Sequence, residues 1–291
     1  MIFSGLSGFP ITPIKDGRAD IDTLSAIVRH VDASGLDSIG VLGSTGSFAY
    51  LNQLERERVM ACWSKATTPW IGGVSATSSH EALLNCQLAH KHGAKGVIAN
   101  AFAYVPLRNN ELTKYFLDIA EHSPLPVCVY DNPVTTGQAL SYDVIARLAE
   151  HPNIQAIKMF AQQNNQAQHA SLSSLNINAG YAVDAFCCDA MIGGASAWYS
   201  TLAGTVPELL VPIMNAIKTK DVTKARRLNT ALAPLYQLMR THSGYRVVHA
   251  LANQRGWQCE LPSPLIMPDL GDVSLDAYIS SAYQMVCPND R

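Results

Sequence analysis

Residues 126–160 read PVCVYDNPVTTGQALSYDVIARLAEHPNIQAIKMF and contain the pattern that decides the fold. An apolar, β-prone run at residues 126–130 predicts one strand, and a second run at 154–159 predicts another. Between them, Ser141 stands where it would cap a helix over residues 142–150. A strand, a helix and a further strand in this order form the βαβ unit of parallel sheets.

The same alternation continues along most of the chain. Apolar runs predict eight strands, at residues 5–12, 38–42, 70–75, 96–101, 126–130, 154–159, 177–183 and 195–201. Asn52 with Glu55, and Ser78 with Glu81, predict capped helices between strands. Eight such units predict an α/β fold of the (β/α)8 TIM-barrel type. A doubly wound open sheet is the alternative, although no Gly-rich dinucleotide loop follows the first strand.

The strand pattern stops after the eighth run. Helical periodicity continues at residues 208–218, 222–239 and 246–255, and a last helix is predicted near residues 275–285. No linker rich in Gly, Ser or Pro separates these helices from the strands. We therefore expect a barrel at residues 1–218 and a C-terminal helical extension at residues 219–291 that packs on it.

The composition limits the function classes. The chain has 291 residues, of which 48% are hydrophobic and 15% charged, with a formal net charge of -2. This charge gives no field that would attract nucleic acid or an anionic membrane. No apolar run reaches the length of a membrane span, and the N-terminus lacks the pattern of a secretory signal. The 7 cysteines show no repeated spacing, which favours reduced thiols in a cytoplasmic protein.

A lysine inside an apolar run is the first candidate for chemistry. Lys158 lies in the sixth predicted strand, and the catalytic groups of such barrels lie at the C-terminal ends of strands. Burial lowers the pKa of a lysine and leaves a neutral amine that attacks ketones. Alternatively, Lys158 lies just past the strand and reaches solvent. Tyr130 ends the neighbouring strand, where a phenol can relay protons or serve only in packing.

The second predicted strand is followed by the turn Gly43-Ser-Thr-Gly-Ser47. Its glycines, hydroxyls and backbone amides can hold a carboxylate, because N–H groups point toward the anion. A plain turn between a strand and a helix would use similar residues, so the motif alone does not assign a function. His90 and His92 do not share a helix face, and no Cys/His pair has the spacing of a zinc site.

Together these features resemble the dihydrodipicolinate synthase and N-acetylneuraminate lyase family of class I aldolases. The similarity runs from Thr12-Pro13 to the C-terminal helices. Its most specific part joins Gly43-Ser-Thr-Gly46, Tyr130 with Pro133, and Lys158, which follows the tyrosine by 28 residues. The resemblance implies a lyase that forms a covalent imine with pyruvate or another small 2-oxo acid. It also implies that no metal or other cofactor is needed, and that the protein is a homotetramer or homodimer.

The resemblance assigns roles by position. Lys158 corresponds to the lysine that forms the imine, and Tyr130 corresponds to the tyrosine that relays protons. Ser44, Thr45 and Gly46 correspond to the residues that bind the substrate carboxylate. One of the two hydroxyls, assigned to Thr45, links into the hydrogen-bond chain of the tyrosine. We expect these residues to form the catalytic centre.

Further positions belong to the same predicted pocket. Tyr104 corresponds to a tyrosine that family members contribute across a dimer interface, although a surface aromatic is equally consistent with the sequence. Val183, at the end of the seventh strand, and Thr135 are expected to bind substrate. Three positions depart from the family pattern. Thr135 stands where the synthase branch has an arginine that binds a carboxylate of the second substrate. Ser47 stands where a glutamate is usual, and Asn100 stands where a proline is usual. Loss of a bidentate arginine predicts a less anionic second substrate, such as an aldehyde.

Two other interpretations remain open at this point. One is a catalytically silent barrel that binds a 2-oxo acid as a sensor or scaffold. The other is an unrelated barrel enzyme, such as a phosphate-handling isomerase, in which Lys158 is structural. Gly-rich phosphate loops after the seventh and eighth strands would indicate the isomerase, and only Gly193-Gly194 and Gly204 lie there. The combination of lysine, tyrosine and hydroxyl pair favours a lyase that acts on carbon–carbon or carbon–oxygen bonds.

Overall fold

The computed structural model describes residues 1–163, 166–271 and 273–286. A closed barrel is formed by eight parallel strands, β1 (Gly5–Gly8), β2 (Ser38–Val41), β3 (Trp70–Gly73), β4 (Gly96–Ala99), β5 (Val127–Tyr130), β6 (Ile154–Phe160), β7 (Asn178–Ala182) and β8 (Ala197–Ser200). Each strand pairs with the next in sequence, and β8 closes the barrel on β1, with Ala197 opposite Gly5. The predicted (β/α)8 barrel is confirmed, and the open sheet is excluded.

Helices connect the strands and continue after the last of them. In chain order they are α1 (Ile21–Asp32), α2 (Gln53–Trp63), α3 (Ser79–Lys91), α4 (Asn109–His122), α5 (Pro133–Thr136), α6 (Tyr142–Ala149), α7 (Gln166–Ser173), α8 (Asp184–Ile192), α9 (Pro207–Lys218), α10 (Val222–Ala231), α11 (Ala233–His242), α12 (Gly244–Gln254) and α13 (Leu275–Val286). Asn52 accepts a hydrogen bond from the Glu55 N–H at 3.0 Å, and Ser78 accepts one from the Glu81 N–H at 3.2 Å, so both caps are confirmed. None of the described helices is both long and apolar enough to span a lipid bilayer.

The first strand is shorter than predicted. It ends at Gly8, and the Phe9 N–H still donates to the Ser200 carbonyl at 2.8 Å. Pro10 has no N–H, which ends the pairing that the sequence pattern extended to residue 12. The Phe9 ring packs inside the barrel, where a Cβ on Gly40 would lie 2.3 Å from it. Glycine at this position therefore provides the space for the ring.

The C-terminal helices also differ from the prediction. The single helix expected over residues 222–239 is wrong, because α10 and α11 are separated at Leu232. Pro234 lies in the first turn of α11, where proline is tolerated. Inside a continuous helix, its ring would clash with the preceding turn and its missing N–H would remove a hydrogen bond. The short helix α5 was not predicted from the sequence. α10 is the first helix of the predicted C-terminal extension, and it packs directly against α8 and α9 of the barrel. The division of the chain into a barrel and an extension at residue 218 therefore stays a prediction.

Two groups of apolar side chains form the core. The larger group lies between the strands and the surrounding helices. The smaller group fills the inside of the barrel and consists of Phe3, Phe9, Ile71, Ile98, Cys128, Ala156, Ala197 and Tyr199. Side chains alternate along a strand, so Lys158 points inward like Ala156, above this filled region. The six cysteines in the described part of the chain are free and buried, and Cys287 lies outside it.

Candidate active site

Lys158 lies in the barrel mouth among aromatic rings. Only 5% of the residue is exposed. Its Nζ lies 3.8 Å from the centre of the Phe9 ring, 4.2 Å from that of Tyr130 and 5.6 Å from that of Tyr199. Burial lowers the pKa of Lys158 to about 8, against the attraction of nearby anionic groups such as Asp184. A fraction of the side chain is therefore a neutral amine near pH 7, which is the form that attacks a carbonyl carbon.

Tyr130 lies beside this amine on the neighbouring strand. The two residues are directly opposite each other in the pairing of β5 with β6. Burial raises the pKa of the Tyr130 phenol above its usual range, while hydrogen bonds with the side chains of Ser44 and Asn132 act in the opposite direction. The phenol is therefore protonated at neutral pH, with a hydroxyl neighbour through which a proton can pass.

The turn after β2 brings the predicted carboxylate-binding residues to the same mouth. Leu42 and Ser47 have left-handed backbones, with φ of 56° and 62°, and the Ser47 N–H donates to the Ser44 carbonyl at 3.2 Å. A Cβ on Gly46 would lie 2.9 Å from the Leu42 Cα, so this compact turn requires glycine there. Ser44 is partly exposed in the cleft, whereas Thr45 is buried.

Two side chains missed by the sequence analysis hold this turn. The buried Arg56 donates to the carbonyls of Phe48 at 2.9 Å, Leu51 at 3.1 Å and Ser75 at 3.0 Å. The Tyr245 hydroxyl from α12 lies 2.7 Å from the Ser47 Oγ, which attaches the C-terminal helices to the turn. The position of Arg56 on the buried face of α2 was a signal in the sequence for its contacts with the carbonyls. Nothing in the local sequence indicates the contact between Tyr245 and Ser47.

A buried carboxylate lies beyond the lysine. Asp184 is 3% exposed and accepts hydrogen bonds from the Trp198 Nε1–H at 2.7 Å and the Leu202 N–H at 3.1 Å. Burial raises the pKa of Asp184, whereas these hydrogen bonds and the attraction of Lys158 act to lower it. Asp184 was not predicted as a site residue, although an acidic residue directly after the seventh strand is a signal for it. The adjacent Val183 has a φ of 75°, a strained conformation for a β-branched residue that occurs mainly at functional sites.

A narrow cleft opens next to Tyr130. Its apolar side includes Phe9, Phe48 and Ile98, and its polar side includes Ser44, Ser75 and Asn100. Two predicted site residues lie elsewhere on the surface of the single chain. Tyr104 is 98% exposed in the loop after β4, and Thr135 is exposed in the short helix α5. The roles assigned to both residues stay predictions.

The similarity to known proteins agrees with this geometry. Residues 2–270 match the profile of the Dihydrodipicolinate synthetase family. The chain belongs to this family. The resemblance found in the sequence is thereby confirmed, and the chain is an enzyme of a cofactor-independent class I aldolase and lyase family. Membership does not support the interpretation as a phosphate-handling isomerase.

Individual members of the dihydrodipicolinate synthetase family are similar over almost the whole chain. The 4-hydroxy-tetrahydrodipicolinate synthase of Pelobacter propionicus is 29% identical over 280 residues, which cover 94% of this chain and 95% of that protein. The dihydrodipicolinate synthase of Agrobacterium tumefaciens has a TM-score of 0.90 at 32% identity, covering 98% of both chains. The Acinetobacter baumannii synthase, solved in complex with pyruvate, has a TM-score of 0.83 at 26% identity, covering 98% of this chain and 99% of that chain.

Proposed function

We propose that this protein is a Schiff-base lyase that uses Lys158 to form an imine with pyruvate or another small 2-oxo acid. The observation that carries the proposal is the amine itself, 5% exposed and surrounded by three aromatic rings beside a phenol. Ring faces attract cations, and a water-poor site protects an imine from hydrolysis. The same surroundings therefore favour the neutral amine before reaction and accommodate the iminium after it.

The reaction follows from the arrangement of the two groups. The Lys158 nitrogen attacks C2 of the 2-oxo acid, and the C2 oxygen takes up protons relayed by Tyr130 and leaves as water. The Tyr130 oxygen, which has given up its proton, then takes a proton from C3 of the resulting iminium and leaves an enamine. In the synthetic direction C3 then bonds to the carbonyl carbon of an aldehyde, whose oxygen takes a proton from the phenol. Hydrolysis of the iminium releases the product and restores the amine, and retro-aldol cleavage is the reverse.

The turn after β2 is proposed to bind the 2-oxo acid by its carboxylate. Ser44 is the partly exposed hydroxyl in the cleft, and the backbone amides near Gly46 supply neutral donors. Thr45 is proposed to link this turn to the proton relay of Tyr130. Val183 directly follows β7, which pairs with the strand of Lys158, and it is proposed as a further substrate-binding position.

The second substrate is proposed to be a less anionic compound than aspartate semialdehyde. The support for this is Thr135, which the sequence resemblance aligns with the synthase arginine and which is exposed in α5. A threonine hydroxyl cannot form the bidentate pair that an arginine makes with a carboxylate. We further propose a homotetramer or homodimer in which Tyr104 completes a neighbouring site, and a cytoplasmic location where the cysteines stay reduced.

Borohydride reduction in the presence of pyruvate tests the imine. We expect the keto acid to be retained as added mass on the peptide that contains Lys158, detected by mass spectrometry. Lys158→Met should give no adduct, and Lys65→Met, which changes an exposed lysine, should leave the adduct in place. An adduct on another lysine, or none at all, would contradict the proposal. Synthase turnover with aspartate semialdehyde at the level of established synthases would contradict the assignment of the second substrate.

A further inference from the structure

Asn100 has a buried side-chain oxygen for which the described residues provide no hydrogen-bond partner. The residue follows β4 directly and is 3% exposed. Its backbone is fully engaged, because the N–H donates to Ser75 Oγ at 2.9 Å and the carbonyl accepts from the Tyr115 hydroxyl at 3.4 Å. Its Oδ1 is buried and makes no hydrogen bond among the described residues. Buried polar groups are normally paired, so an unpaired amide oxygen on a residue with an anchored backbone indicates that a ligand supplies its partner.

Asn100 lies on the wall of a cleft that is also lined by Phe9 and Tyr130, the two rings that contact the Lys158 amine. Asn100 and Ser75 line that cleft together with Ser44 and Tyr130. Ser75 Oγ accepts the Asn100 N–H, and its own hydrogen remains available for donation. The wall therefore offers an amide that both donates and accepts, next to a hydroxyl that donates. A hydroxyl group, which is itself both donor and acceptor, matches this arrangement.

The same wall carries no positive charge for a carboxylate. Neither lysine nor arginine is among the residues that line the described cleft, and Lys158 would be consumed in the imine. Arg56 reaches this wall from behind, but it donates to the carbonyls of Phe48, Leu51 and Ser75. It also lies 3.9 Å from Glu81, which balances its charge. A second carboxylate on this wall would lose its hydration and gain neither a cation nor the backbone N–H donors that the turn after β2 is proposed to offer the 2-oxo acid.

We propose that Asn100 and Ser75 form the subsite for the second substrate and select a short, neutral hydroxyaldehyde. The hydroxyl next to the reacting carbonyl donates to the Asn100 amide oxygen and accepts from the wall. This inference rests on the proposed function. In the coupling step, enamine C3 bonds to the aldehyde carbon, and the carbonyl π electrons move to its oxygen. That oxygen takes a proton from Tyr130, and hydrolysis of the iminium completes the cycle.

Three aldehydes test the subsite once pyruvate trapping has been measured. They are glyceraldehyde, propanal, which has the same carbon chain without hydroxyls, and succinate semialdehyde, which bears a carboxylate. The measurement is kcat/KM for pyruvate-dependent coupling. We expect glyceraldehyde to exceed propanal by about tenfold, the contribution of one to two hydrogen bonds, and to exceed succinate semialdehyde as well.

Asn100→Ala should lower kcat/KM for glyceraldehyde about tenfold, and it should change kcat/KM for propanal by less than about twofold. Pyruvate trapping and the unfolding midpoint should not change, because the Asn100 Oδ1 makes no hydrogen bond among the described residues that the substitution would break. Asn110→Ala, at an exposed position on α4, is the matched control. A preference for succinate semialdehyde, or an equal loss with all three aldehydes, would overturn this inference alone. Absence of the pyruvate adduct would overturn the proposed function and the inference together.

Discussion

Replacement of Lys158 by methionine tests the central physical feature of the site, a buried amine in a water-poor barrel mouth. Methionine is an unbranched side chain of similar length without a charge, so it can occupy the same space between Phe9 and Tyr130. The variant cannot form an imine and should be inactive. Its stability carries more information, because folding of the unaltered protein must desolvate an ammonium ion at low pH and folding of the variant does not.

The size of the effect follows from the pKa of Lys158, which is lowered from 10.5 to about 8. At about 1.4 kcal/mol per pH unit, burial of the charged form destabilises the folded protein by about 3 kcal/mol below pH 8. Between the two pKa values the unfolded chain binds more protons than the folded one, so this penalty decreases as the pH rises. From pH 6 to pH 9 it should decrease by about 1.4 kcal/mol.

Urea unfolding at pH 6, 7.5 and 9, at one protein concentration, measures this difference. Lys158→Met should be more stable than the unaltered protein by about 3 kcal/mol at pH 6, and by less at pH 9. Lys65→Met provides the matched control at an exposed position. If Lys158→Met shows no gain at pH 6, or if the gain does not shrink with rising pH, the amine is not desolvated and the reasoning is wrong.

Two further predictions concern the residues that hold the turn after β2. Arg56→Lys removes the guanidinium that donates to three carbonyls. It should lower the free energy of unfolding by about 2–4 kcal/mol, measured by urea unfolding. It should also weaken pyruvate binding, measured by trapping at increasing pyruvate concentration. Arg58→Lys, an exposed change on the same helix, is its control, and equal effects of both would contradict the prediction. Tyr245→Phe removes the contact with Ser47. It should raise the half-saturating pyruvate concentration about threefold to tenfold. An unchanged half-saturating concentration would show that the contact does not position the turn.

Patterns among residues close together in the chain account for the part of the fold and of the site that the sequence predicts. Strands and helices have different periods, and caps such as Asn52 and Ser78 use residues only three positions apart, so the alternation could be identified along the chain. The positions of Lys158 and Tyr130 at the ends of consecutive strands also follow from order alone. The break at Leu232 and the early end of β1 were missed, although Pro234 and Pro10 were visible signals.

The sequence by itself determined the eight-unit alternation and placed Lys158 and Tyr130 on consecutive strands, because these features depend on residues close together in the chain. Only the tertiary structure decided the surroundings of the amine. Closure of β8 on β1 brings Phe9 and Tyr199 together around Lys158, and the C-terminal helices bring Tyr245 to the turn after β2. These contacts join segments far apart in the chain, so their geometry depends on how the closed barrel packs and leaves no periodic signal in the sequence.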